Sequence, residues 1–205
     1  QKYLDEVRSI DTWGFFGKAI VTLLKKNKLR WIPEIIHGND VHCSYIPLIL
    51  KDEKMQIKTV LTIHNIAFQG QTDDLIIKRL GLKSNICKVV EWEVKSRKIN
   101  SLMEGIIHSD VVTTVSPTYA KEIMGEKFGG GLNEIIRGKE GRVFGILNGL
   151  ESDMKNSVFQ EGVAFPFGLS SWTKKKKLNK SYLQKKLGLD VQNDIPLLCF
   201  IGRFD

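Results

Sequence analysis

An α/β fold, a parallel sheet with helices on both faces, is what this 205-residue sequence predicts, and three observations carry the prediction. Short apolar stretches alternate with longer segments of helical periodicity. Several of the short stretches are continuous apolar runs rather than alternating ones, the pattern of strands covered on both sides. The composition, 42% hydrophobic and 26% charged with 18 glycines, supplies a real core and excludes a disordered, collagen-like or coiled-coil chain.

Residues 13–29 (WGFFGKAIVTLLKKNKL) carry apolar positions at helical spacing and then turn basic. The spacing predicts a helix that packs Phe15, Phe16, Ile20 and Leu24 inward, with lysines complementing its C-terminal dipole. After Pro33, the run Glu34-Ile35-Ile36-His37 reads as a buried strand. Residues 42–51 read as a helix with Pro47 in its first turns, where the missing N–H is tolerated. Residues 57–63 (IKTVLTI) are β-branched and form the clearest strand. Helices are expected over 73–80 and 92–108, and a strand over Asp110–Val115 (DVVTTV).

Ser116-Pro117 reads as an N-cap followed by proline at the first helical position, opening a helix through Ile123. Gly129–Gly131 form a loop before a short helix, Leu132–Ile136, and Arg142–Leu147 is a further strand. Residues 150–177 show no period and read as a long connection. A basic helix over 178–187 stops at Gly188, and Pro196–Ile201 (PLLCFI) reads as a last buried strand.

Ligands of such sheets bind beyond the carboxyl ends of the strands. The residues in those places are Asn39-Asp40, His64-Asn65, Ser116, Asn148-Gly149 and Gly202-Arg203. Together they suit a polar, hydroxyl-rich and partly anionic ligand. No nucleophile elbow accompanies them. Each residue also has a plainer reading. Asp40 either caps a helix or accepts a ligand hydroxyl. His64 either bonds neighbouring backbone or meets substrate. Ser116 is most economically a cap. Arg203 either pairs with a carboxylate or grips phosphate oxygens bidentately. The glycine run is a turn or a phosphate contact. His37, Asp40 and His42 have a spacing that could suggest a metal, but a strand and a helix separate the histidines, and no metal is expected.

The chain has 31 Lys+Arg against 23 Asp+Glu, a net +8, which favours anionic partners. The excess is partly local: Lys174–Lys177 with Lys180, Lys185 and Lys186, and Lys25, Lys26 and Lys28. These clusters read as solvated helix ends, and without a nucleic-acid motif no nucleic-acid partner is expected. The three cysteines, Cys43, Cys87 and Cys199, are far apart and odd in number, so reduced thiols in a cytoplasm are expected. No run approaches the roughly 20 apolar residues of a membrane span, and no signal peptide follows Gln1.

Five blocks then carry a resemblance: Pro33–Asp40 (PEIIHGND), Thr62–Gly70 (TIHNIAFQG), Thr113–Ile123 (TTVSPTYAKEI), Phe128–Leu132 (FGGGL) and Gly145–Leu150 (GILNGL). In this order they resemble the bacterial glycogen synthase and plant starch synthase family. The resemblance implies the N-terminal, Rossmann-like half of a GT-B fold. It implies residues 1–150 as that domain without its first strand, 151–195 as a divergent connection and helix, and 196–205 as the start of the second domain. The implied activity is retaining transfer of glucose from ADP-glucose or UDP-glucose to the non-reducing end of an α-1,4-glucan, in a cytoplasm or a plastid.

By the same resemblance His64, Asp40 and Asn148 are catalytic, while Asn65, Ser116 and Arg203 bind substrate, with Arg203 on the donor diphosphate. No cofactor beyond the nucleotide-sugar substrate is implied. The family's lysine before Gly105 is replaced within Leu102-Met103-Glu104, its aspartate after the Asn-Gly pair is Glu151, and Phe68 stands where tyrosine is common. A non-catalytic glucan-binding or regulatory paralogue, or a GT-B transferase with another donor or acceptor, are the alternatives.

Overall fold

The computed structural model describes residues 2–149 and 162–202. By contact the chain divides into Gln1–Asn148 and Gly149–Asp205. In the first unit the elements run α1 (Lys2–Lys25), β1 (Ile35–Asn39), α2 (Asp40–Cys43), α3 (Tyr45–Asp52), β2 (Lys58–Ile63), β3 (Gln71–Thr72), α4 (Leu75–Arg79), α5 (Lys88–Ser96), β4 (Ile99–Asn100), α6 (Ser101–His108), β5 (Val111–Thr114), α7 (Pro117–Glu122), α8 (Asn133–Arg137) and β6 (Val143–Gly145). The second unit carries α9 (Trp172–Lys186).

β1, β2, β5 and β6 form a four-stranded sheet in that order, and every pair in it is parallel. The register sets Asn39 beside Thr62 and Thr62 beside Thr113. Because parallel strands need crossovers, helices flank the sheet, as the alternation of apolar runs predicts. One core cluster joins Ile10 and Val21 of α1 to Tyr45, Leu48 and Ile49 of α3, Ile76 and Ile77 of α4, and Val90 of α5. A second joins Leu61 and Ile63 of β2 to Leu102 and Ile106 of α6, Val112 of β5, Ile123 and Ile136.

Several expectations are corrected. α1 starts far earlier than residue 13 and does not bury its phenylalanines: Phe15 and Phe16 are 54% and 52% exposed. Its inward stripe is Ile10, Gly14, Gly17, Val21 and Leu24, in steps of four and three. A Cβ on Gly14 would lie 3.1 Å from Leu80 and one on Gly17 3.3 Å from Ile46, so the glycines let α1 approach its neighbours. Residues 92–108 are not one helix, because Arg97 caps α5 in the left-handed conformation at φ 59° and β4 intervenes before α6.

The basic helix begins at Trp172, within the stretch read as a connection. It does end at Gly188, whose φ of 67° lets its N–H reach the Lys185 carbonyl and that of Leu189 reach Gln184, a Schellman motif. Two of its lysines are not simply solvated: Lys175 donates to the Pro166 carbonyl at 2.6 Å, and Lys180 donates to the carbonyls of Asn193 (2.9 Å) and Ile195. Pro196–Ile201 forms no strand, and Leu198 and Ile201 are 90% and 93% exposed. An apolar run becomes a strand only where another strand pairs with it, and the described residues of this unit hold none.

Candidate active site

The four parallel strands end on one side, and the polar residues singled out above follow those ends. β1 runs straight into Asp40, whose backbone stands at φ 55°, a left-handed conformation that Asp tolerates better than most residues. There its Oδ1 accepts the main-chain N–H of His64 at 2.7 Å. The helix that follows is capped by position at Asn39, with no side-chain cap bond. Asp40 is therefore a brace between the ends of β1 and β2 and not a helix cap.

His64 is exposed, and its ring is held as well as its backbone: Nε2 stands 3.0 Å from Asn39 Oδ1. The amide oxygen accepts, so this bond puts the ring proton on Nε2 and leaves Nδ1 of a neutral ring as the acceptor. Asn65 spends its Oδ1 on the N–H of Ala67 at 2.9 Å, closing an Asx turn. That turn leads into a loop fixed from three directions. The Tyr119 hydroxyl accepts from the Ile66 N–H at 3.0 Å, Gln69 donates to the Gly130 carbonyl at 2.7 Å, and Asn100 donates to Gln69 at 2.7 Å.

Gly130 and Gly131 stand at φ 56° and 81°, and a Cβ on Gly130 would lie 2.9 Å from the Gln69 amide. The glycine run here is a left-handed turn packed on the loop that follows His64. Gln69, Tyr119 and Asn100 escaped the sequence reading, which followed only the residues directly after each strand. The specific QG and TYAKEI blocks carried the first two without saying what they touch.

Ser116 caps α7: its Oγ accepts from the Tyr119 N–H at 3.3 Å, with Pro117 at the first helical position. Gly145, at the end of β6, packs so closely on this turn that a Cβ there would lie 2.3 Å from Pro117. Asn148 is exposed and makes no hydrogen bond to another described residue. The structure thus joins Asp40, His64 and Asn39 directly, and sets Ser116 and Asn148 after the ends of β5 and β6. Arg203 and Glu151 lie outside the described residues.

Behind the strand ends runs a polar row that the sequence analysis did not anticipate. His37 Nε2 stands 2.6 Å from Thr62 Oγ1, which stands 2.6 Å from Thr113 Oγ1, across β1, β2 and β5. Threonines inside two apolar runs were its only sequence signal. His37 is thereby committed to Thr62, while the His42 ring meets Trp13 edge-on at 4.4 Å, so His37, Asp40 and His42 do not converge on a common ion. Met103 packs against the second core cluster in the segment where the resemblance puts a lysine. Among the described residues no helix is long and apolar enough to cross a membrane.

Held this way, the site can orient sugar hydroxyls with one imidazole, one carboxylate and several amides. Among the described residues it offers no activated side-chain nucleophile at the strand ends. Its likeness to known proteins is extensive. The glycogen synthase of Ligilactobacillus salivarius (strain UCC118) is 36% identical over 200 residues, covering 94% of this chain and 41% of that protein. That of Streptococcus uberis (strain ATCC BAA-854 / 0140J) is 36% identical over 202 residues with the same coverage. Among solved structures, the catalytic domain of starch synthase IV from Arabidopsis thaliana bound to ADP and acarbose matches with a TM-score of 0.69 at 26% identity, covering 89% of this chain and 38% of that one. The chain thus spans about two fifths of the length of these glycogen synthases. Residues 2–138 match the starch synthase catalytic domain family, and the chain belongs to that family.

Proposed function

We propose that this chain acts in glucosyl transfer, from ADP-glucose or UDP-glucose to the non-reducing end of an α-1,4-glucan such as glycogen or starch, with retention at the anomeric carbon. The observation that carries the reading is the brace of Asp40, His64 and Asn39 at the carboxyl ends of β1 and β2, in a chain of this family. The Arabidopsis neighbour's ADP and acarbose support a nucleotide and a saccharide as the ligands here.

Breaking the glycosyl–phosphate bond leaves positive charge on the sugar carbon and negative charge on the departing diphosphate. His64, fixed at both backbone and ring, orients a sugar hydroxyl against that carbon, and Asp40 keeps it there. Asn148 and Asn65 contribute amides to the same end of the sheet, and Ser116 shapes the turn beside them. Arg203 answers the diphosphate's growing charge with a bidentate fork. The nucleotide sugar is a substrate, and the reaction as proposed uses no further cofactor. The three free cysteines support a reducing compartment, a cytoplasm or a plastid.

A non-catalytic glucan-binding role is the second reading, and the replacement of a family lysine within Leu102-Met103-Glu104 favours it. One experiment separates the two. In the complete polypeptide that carries these residues, His64→Ala is expected to lower kcat on the order of 10²-fold, the usual effect of losing a positioned transition-state contact, with thermal unfolding unchanged. Near-normal kcat in a folded variant, or a wild-type polypeptide that binds glycogen without releasing ADP, would overturn the catalytic reading.

A further inference from the structure

Away from the strand ends, the first unit buries a group of polar side chains that the proposed reaction does not use. Glu104 and His108 stand one helical turn apart on α6, so their side chains share a face. Glu104 Oε2 lies 2.9 Å from His108 Nε2, and their side chains are 0% and 3% exposed. From the other direction comes Cys87, the N-cap of α5, whose Sγ lies 3.5 Å from the same His108 nitrogen. The three donor atoms lie within 4.8 Å of one another, and this is the only such group among the described residues.

We propose that Cys87, Glu104 and His108 form a binding site for a divalent transition-metal ion, with Zn²⁺ the chemistry they fit best. A tetrahedral ion with a sulfur ligand at about 2.3 Å and a nitrogen ligand at about 2.05 Å holds those two atoms roughly 3.5 Å apart. The observed sulfur–nitrogen distance is 3.5 Å. One thiolate, one imidazole and one carboxylate make a borderline-soft set that suits zinc over calcium or magnesium. A thiolate and a carboxylate also neutralise the charge of a divalent ion.

A second observation points the same way. Glu104 Oε1 is buried with no hydrogen-bond partner, and so is Oε2 of the neighbouring Glu93, whose Oε1 is taken by the Asn100 N–H at 2.8 Å. Buried carboxylate oxygens are costly unless satisfied, and a cation among Cys87, Glu104 and His108 would satisfy the Glu104 carboxylate. A metal needs a neutral imidazole nitrogen, and His108 Nε2 is the atom that both Glu104 Oε2 and Cys87 Sγ approach. Two lysines act on His108 electrostatically, and neither fills the site: Lys51 is exposed, and Lys139 donates to the carbonyls of Ile107 and Ser109.

Binding forms metal–sulfur, metal–nitrogen and metal–oxygen bonds. It releases the Cys87 thiol proton and, where present, the Glu104 carboxyl proton, and it leaves the ring proton of His108 on Nδ1. A water supplies a fourth bond. The ion ties the start of α5 to α6, across the segment that includes β4.

The test uses the purified chain after chelation, titrated with Co²⁺ as the spectroscopic probe and then with Zn²⁺. One equivalent of Co²⁺ is expected to give a thiolate-to-cobalt charge-transfer band and the intense visible bands of four-coordinate cobalt, both displaced by Zn²⁺. Cys87→Ser keeps a good helix cap, so it is expected to keep the circular dichroism and lose the charge-transfer band. Glu104→Gln and His108→Gln are each expected to weaken binding by about 10-fold or more. Absence of the cobalt bands in the wild-type chain overturns the proposal whatever the variants do. So does a Cys87→Ser spectrum identical to wild type, which would assign the thiolate to Cys43 or Cys199.

Discussion

Asp40 holds the site together through a single backbone contact, and two substitutions test what that contact and its left-handed backbone contribute together. Asparagine tolerates the left-handed region and keeps an oxygen for the His64 N–H, so Asp40→Asn is expected to unfold within about 0.5 kcal/mol of wild type. Alanine does neither, and Asp40→Ala is expected to cost about 2 kcal/mol, from backbone strain plus the lost bond. Urea unfolding of the purified chain measures both; equal losses would mean that neither the φ of 55° nor the bond to His64 contributes to stability here.

Asp110 performs a similar service at the start of β5. Its carboxylate accepts from the Thr59 N–H at 2.8 Å and the Thr59 hydroxyl at 3.2 Å, with Lys58 at 2.9 Å. Burial alone would raise this carboxyl; the bonds from Lys58 and Thr59 outweigh it and hold it below its ordinary value. A depressed carboxylate contributes stability above its unfolded pKa of about 4 and loses it as pH falls through the lower folded value. The Lys58 pair is exposed and worth little, so the contribution is about 1 kcal/mol, mostly from Thr59. Asp110→Asn is expected to be less stable than wild type by that amount at pH 7 and equal to it near pH 2. A difference that persists in acid would assign the effect to packing.

Between elements, glycine contacts decide how the strand ends meet the helices. Gly145 joins β6 to the first turn of α7, where a Cβ would stand 2.3 Å from Pro117 Cα and from the Ser116 carbonyl. Those neighbours are backbone and cannot rotate away. Gly145→Ala is expected to cost about 3 kcal/mol and to shift the Ser116 turn, visible as lost amide-exchange protection at Tyr119 and Ala120. Gly131→Ala makes a control for steric contact, since nothing lies within 4 Å of its Cβ; it is expected to pay only left-handed strain. Helix-by-helix reading was sound where an element had its own punctuation, as with Ser116-Pro117 before α7 and Gly188 after α9. On α1 it held for Leu24 and failed for Phe15 and Phe16, where residue size pointed inward while Gly14 and Gly17 fill that part of the packed face.

For the whole molecule, the described site residues of the first unit gather at one end of a four-stranded sheet, and the chain covers 41% of the glycogen synthases it matches. The 205 residues expressed alone are expected to release no ADP from ADP-glucose with glycogen present, above a heat-inactivated control. Measurable turnover would show that the residues outside this span are dispensable for the chemistry. Saturation transfer from glycogen to the same chain would show how much of glucan recognition these residues carry.

What the sequence determined by itself was the kind of fold and the residues at the strand ends. Continuous apolar runs alternating with helical periods leave few arrangements besides a flanked parallel sheet, and such a sheet puts its ligands past the strand termini. The TIHN…QG and TVSPTYAKEI blocks pointed to the family on local order alone. Tertiary structure decided everything that depends on partners distant in the chain. Asp40 became a brace and not a cap because the β1–β2 register, which pairs Asn39 with Thr62, brings its carboxylate within reach of the His64 N–H. Cys87 met His108, 21 residues away, because α5 and α6 turn back on each other through Arg97. Pro196–Ile201, apolar enough to be a strand, stayed exposed because strand pairing requires a neighbour and hydrophobicity alone supplies none.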